Sequence, residues 1–95
     1  MDDQKAVKEL SAALAASNNK DLIEDFLNSL LTKNEIHEVA TRWALVKLIK
    51  DGMSQRKVAE TLGLSLFKIT RGSKELKKEH SSFRAMIELE SQLDS

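Results

Sequence analysis

Residues 54–72 read Ser54-Gln55-Arg56-Lys57-Val58-Ala59-Glu60-Thr61-Leu62-Gly63-Leu64-Ser65-Leu66-Phe67-Lys68-Ile69-Thr70-Arg71-Gly72, and this stretch decides the fold. Ser54 can cap a short helix from Gln55 to Leu62, and Ser65 can cap a second, because a serine hydroxyl accepts an otherwise unpaired N–H of the first turn. Between them Gly63 occupies the position of a tight turn that demands a left-handed backbone. Ala59 sits where two steeply crossing helices touch and only a small side chain fits. Val58, Leu62, Leu64 and Ile69 supply a local core. The pattern is that of a helix-turn-helix over residues 54–73, whose second helix enters the major groove of DNA. The same turn spacing also occurs in helical corners that never meet nucleic acid.

The surrounding chain is helical throughout. It has 95 residues, three glycines and no proline, and no alternating strand pattern occurs. We expect an all-α single domain over 1–95 with about six helices. A first helix is expected from Asp3 to Ala16, with a thin stripe of Val7, Leu10 and Leu14. Ser17-Asn18-Asn19 breaks it, with Asn18 and Asp21 placed as a weak cap. A second helix over Lys20–Leu31 carries Leu22, Ile23, Phe26, Leu27, Leu30 and Leu31, a face too broad for one neighbour. Thr32 with Glu35 three residues on reads as a capping box. The helix it opens ends near Asp51-Gly52 and is apolar on several sides, through Ile36, Val39, Ala40, Trp43, Leu45, Val46, Leu48 and Ile49. A last helix over Ser81–Leu93 carries Phe83, Met86, Ile87 and Leu93. Surplus apolar surface in so small a chain implies a second subunit.

The formal net charge of zero conceals a strong partition. Residues 1–40 hold four Lys against eight acids, residues 41–78 hold ten Lys or Arg against three acids, and residues 79–95 hold one Arg against four acids. A basic block in an acidic frame is an electrostatic footprint for a polyanion, or else a solvated lysine-rich face. No cysteine is present, and His37 and His80 lack metal-ligand spacing, so no thiolate or histidine metal site is expected. Glu24 and Asp25 are adjacent and point apart on a helix, and no nucleophile elbow or triad spacing occurs, so no enzyme is expected. No membrane span or apolar leader is visible, so the expected location is cytoplasmic. Trp43 and Met53 read as packing residues.

Longer strings give a more specific signal. Leu30-Leu31-Thr32, then Arg42 ten residues later, then Met53-Ser54-Gln55-Arg56, then Ile69-Thr70-Arg71-Gly72-Ser73 together resemble the tryptophan operon repressor family, over roughly residues 22–78. That resemblance implies an intertwined, all-helical homodimer that binds L-tryptophan as corepressor and then double-stranded operator DNA. It implies that Arg42 and Arg71 stack on the two faces of the indole, where guanidinium planes over an aromatic ring gain about 0.5–2 kcal/mol each. It also implies that Arg71 meets the ligand carboxylate with Thr32 nearby, and that carbonyls near Ser29 and Leu31 of the partner subunit take the ammonium. Gly72 lets the ligand approach. By the same resemblance Gln55 and Arg56 contact phosphate and guanine edges, while Ser65, Leu66, Phe67, Lys68 and Thr70 face the groove. Lys57 and Lys74 are phosphate binders or solvated side chains.

The chain departs from the family at several of these places. Ser29 stands where an apolar residue is usual, Lys68 replaces a threonine, and Phe67 replaces a small residue. Glu75 replaces a small hydroxyl residue that assists the ammonium; its carboxylate can pair with the amine or repel the ligand carboxylate. The stretch from Arg42 to Ser54 is one residue shorter than in the best-known members. These departures keep a second reading open, a regulator of the same fold that binds DNA without tryptophan or with another ligand.

Overall fold

The computed structural model describes residues 1–93, which form six α-helices: α1 (Asp3–Ala16), α2 (Lys20–Leu30), α3 (Lys33–Lys50), α4 (Gln55–Leu62), α5 (Leu66–Lys77) and α6 (Ser82–Gln92). No strand occurs among the described residues, and no helix is long and apolar enough to cross a membrane. The all-α expectation holds. The chain divides into two compact units, residues 1–36 and the residues from His37 onward.

In the N-terminal unit, side-chain caps set the helix boundaries. Asp2 Oδ1 accepts the Lys5 N–H at 3.2 Å and starts α1. The cap of α2 is Asn19, whose Oδ1 accepts the Leu22 N–H at 3.1 Å, and not Asn18 as the sequence pattern suggested. The reason is positional: α2 begins at Lys20, and only the residue directly before it can reach the free first-turn N–H groups. Ser17 Oγ accepts the Asn19 N–H at 3.1 Å and fixes the intervening turn. α2 stops at Leu30, one residue short of the expected end. The Thr32–Glu35 capping box forms as read, with Thr32 N–H donating to Glu35 Oε1 at 2.8 Å and Glu35 N–H donating to Thr32 Oγ1 at 3.2 Å. Neither α1 nor α2 contains a buried residue, and Leu22, Phe26, Leu27 and Leu30 all lie exposed on α2.

The C-terminal unit carries the core. Leu45 and Val46 of α3, Val58 of α4, Ile69 of α5 and Ile87 of α6 are buried together. Trp43, Leu48, Met53, Leu62, Leu64 and Phe83 pack around them. Burying one such aliphatic side chain is worth roughly 1.5–3 kcal/mol, so these five residues hold four helices to one centre. Trp43 stacks on Phe83 with ring centroids 5.9 Å apart, which joins α3 to α6. Lys47 Nζ reaches Glu90 Oε1 at 2.8 Å across the same pair of helices. The α5–α6 connection is fastened by Arg84, whose guanidinium donates to the Leu76 and Glu79 carbonyls at 3.0 Å each. Ser81 lies outside α6 as its cap and accepts the Arg84 N–H at 3.0 Å.

Candidate ligand pocket and nucleic-acid interface

The α4–turn–α5 corner follows from its sequence. Ser54 Oγ accepts the Lys57 N–H at 3.2 Å, and Ser65 Oγ accepts the Lys68 N–H at 3.5 Å. Gly63 takes φ 65°, ψ 37°, a left-handed conformation that a side chain would strain. Its neighbour Leu64 donates its N–H to the Ala59 carbonyl at 3.0 Å, closing the turn. Gln55 adds a link between the two helices by donating its side-chain amide to Ser73 Oγ at 3.3 Å, and Ser73 is buried.

A cavity of about 340 Å³ opens in the C-terminal unit between α3 and α5. α3 contributes Glu38, Thr41 and Arg42 to its wall, α5 contributes Phe67, Lys68, Arg71, Gly72 and Glu75, and Phe83 of α6 joins them. Leu45 and Val46 of the core give it an apolar lining. The volume falls within the range that takes a small aromatic ligand. Gly72 decides how near α5 lies to α3 beside it. A Cβ at this position would collide with Leu45 Cδ1 and would stand 3.4 Å from Val46 Cγ2.

The cavity is ringed by opposed charges. Arg42, Lys68 and Arg71 supply three cations, and Glu38 and Glu75 two carboxylates. Glu38 Oε2 lies 3.8 Å from the Arg42 guanidinium, and Glu38 Oε1 lies 3.6 Å from Lys68 Nζ. Glu75 Oε2 is engaged by Lys78 Nζ at 2.8 Å. Exposed pairs of this kind contribute at most about 1 kcal/mol each, so a ligand can exchange them at small cost.

Of the seven pocket residues suggested by the sequence, Arg42, Arg71, Gly72 and Glu75 line this one cavity. Ser29, Leu31 and Thr32 belong to the N-terminal unit. There the Ser29 hydroxyl donates to the Asp25 carbonyl at 2.9 Å, and Thr32 is occupied in the capping box. Glu38, Thr41 and Phe83 are additional lining residues that the sequence reading did not single out. The Glu38–Arg42 spacing of four residues was legible as a helical ion pair, but the reach of Glu38 to Lys68 depends on how α3 and α5 pack.

The residues expected to face DNA divide into two groups. Arg56, Lys57 and Lys74 are exposed and enter no ion pair among the described residues, and Leu66 and Phe67 are 59% and 78% exposed. The others are partly committed. Ser65 serves as a cap, Thr70 Oγ1 donates to the Leu66 carbonyl at 2.9 Å, Gln55 bonds Ser73, and Lys68 pairs with Glu38. Phe67 and Lys68 stand both on the exposed start of α5 and on the cavity wall. Among the described residues no group of His, Cys, Asp and Glu is placed to hold a metal ion.

The family model described as Trp repressor protein matches residues 5–91. A Trp operon repressor homolog of Chlamydia trachomatis serovar L2 is 32% identical over 69 residues, covering 72% of this chain and 73% of the relative. The homolog of Vibrio atlanticus is 38% identical over 69 residues, covering 72% and 70%. That of Xylella fastidiosa strain M23 is 32% identical over 77 residues, covering 80% and 84%. No solved structure matches the chain at comparable significance. With the family model spanning nearly every described residue and relatives above 30% identity over most of their own length, this chain belongs to the Trp repressor family.

Proposed function

We propose that the protein is a transcriptional repressor that binds operator DNA through α4 and α5, and that L-tryptophan in the α3–α5 cavity strengthens that binding. The observation that carries the reading is the meeting of Arg42 and Arg71, from two different helices, on the wall of one apolar-floored cavity. Two guanidinium planes and an aliphatic floor suit an indole ring. A carboxylate finds charge-assisted donors at Arg71. The ligand contacts α5 along Phe67, Lys68, Arg71 and Gly72, a wall that includes part of the helix's exposed start, so occupancy biases the direction in which α5 presents its reading residues. The ligand acts only through its differential affinity for the DNA-competent arrangement, typically about 1–3 kcal/mol in allosteric proteins.

The exposed apolar face of α2 supports a homodimer as the working unit. Two copies would carry two α5 helices, to be set about 34 Å apart for successive major grooves. Arg56, Lys57 and Lys74, exposed and in no ion pair among the described residues, can neutralise phosphates, and a repressor of this kind works in the cytoplasm beside the DNA it regulates. The acidic side chains at the cavity, Glu38 and Glu75, favour a second reading, in which a related regulator answers another ligand or none.

Both readings are tested by titrating the protein against a duplex selected from a random-sequence pool, over a series of salt concentrations, with and without L-tryptophan. The proposal expects affinity that falls steeply with salt and rises roughly 5–150-fold with L-tryptophan. Salt-dependent binding indifferent to L-tryptophan supports the second reading. No binding at low salt in either condition rejects both.

A further inference from the structure

We propose that Phe67 is a specificity-determining residue that reads the C5-methyl group of thymine in the major groove. This inference rests on the proposed binding of DNA through α4 and α5. Phe67 is the second residue of α5 and is 78% exposed, and Leu66 before it is 59% exposed. Two large apolar side chains left in water at the start of one helix mark a contact surface. Helical spacing places the ring. Thr70 and Lys74 stand three and seven residues beyond Phe67 on the same face of α5, and both are exposed. Ile69 and Ser73 hold the opposite, buried face. Phe67 therefore heads the exposed row of α5 as well as bordering the cavity.

The surroundings select the partner. Arg56 and Lys57 of α4 and Lys68 and Lys74 of α5 are exposed, and residues 41–78 hold ten Lys or Arg against three acids. An apolar patch in a basic frame suits a polyanion that carries apolar groups of its own, and duplex DNA is such a partner. The chemistry of the patch then selects the base. Leu66 and Phe67 have no hydrogen-bonding side-chain atom, and Thr70 already donates its hydroxyl to the Leu66 carbonyl at 2.9 Å. Apart from the Thr70 oxygen, which can still accept, the front of this row offers base edges only carbon. In the major groove thymine alone presents an apolar group, its C5-methyl. A phenyl ring gains by covering that methyl. Over any other base edge it would strip water from polar atoms and return no hydrogen bond. Gain and penalty both favour thymine.

The test uses a duplex that the protein selects from a random-sequence pool at saturating L-tryptophan, with each thymine then replaced singly by uracil. That exchange removes the methyl and leaves every hydrogen-bonding group in place. Covering one methyl is worth about fourfold in affinity. Wild type is expected to lose about that factor at one or more thymines, and F67A to lose nothing further at the same positions. F67L, which keeps an apolar side chain, should retain most of the discrimination. A merely structural role for Phe67 would instead weaken F67A equally on thymine and uracil duplexes. Because Phe67 is exposed, neither substitution removes core packing. A selected sequence without thymine, or wild-type binding that ignores every uracil exchange, overturns the proposal while leaving DNA binding intact. An F67A protein as sensitive to uracil as wild type overturns it too, and one that also sediments as a smaller species assigns the ring to a second copy. If wild type selects no duplex at all, both the proposed function and this inference fall.

Discussion

Gly72 shows how one missing methyl group can shape a binding site. It lies inside α5, where glycine costs roughly 0.5–1 kcal/mol relative to alanine, so helix propensity alone favours replacing it. Against this stands Leu45, only 2% exposed, whose Cδ1 occupies the space a Cβ would need. Forcing extra volume into a packed core costs typically 1–3 kcal/mol, which outweighs the propensity gain. Gly72→Ala is therefore expected to lower the thermal midpoint by several degrees and to push α5 away from the floor of the cavity. A thermal unfolding scan checks this, and a raised midpoint would show that Leu45 yields. The sequence string containing Gly72 marked it as special, and the family resemblance gave it a role beside the ligand. Its contact with Leu45 was not legible, because the two residues are 27 positions apart and meet only through helix packing.

At the scale of elements, the caps were the most legible feature. Ser54, Ser65 and the Thr32–Glu35 box act as their spacing indicates, since a cap is a local hydrogen bond between residues two or three apart. Asn18 and Asn19 could not be separated by residue type, and the start of α2 chose between them. Glu35 also gives α3 a dependence on pH. The backbone N–H of Thr32, and secondarily its side chain, hold the Glu35 carboxyl below its ordinary value of 4.5. The unfolded chain thus binds this proton more readily than the folded one, and the box contributes fully above the ordinary carboxylate range. Its contribution declines as pH falls from about 4.5 through the lowered folded value. Denaturant titrations of wild type and E35Q should differ at pH 7 and converge in acid. A difference that persists unchanged at pH 3 would deny the box this role.

For the whole molecule, the informative quantity is distribution rather than total. Zero net charge divides into a basic centre and two acidic flanks, and the basic centre coincides with α4, α5 and the cavity. That coincidence was readable from sequence, as was the all-helical class. What could not be read was the pairing of Glu38 with Lys68, which turns a residue expected on the DNA face into part of the cavity wall. The exposed apolar face of α2 also belongs to this scale. If it is covered by a second copy, the thermal midpoint should rise with protein concentration, as it must when folding and association are coupled. A midpoint independent of concentration across a hundredfold range would leave that face to another partner. The central claim, that Arg42 and Arg71 form the two sides of a tryptophan site, is most directly tested by calorimetric titration of L-tryptophan into wild type and Arg71→Ala. Saturable heat in the wild type, lost in a variant whose circular dichroism and thermal unfolding stay cooperative, is the result expected; equal affinity in both proteins would contradict it.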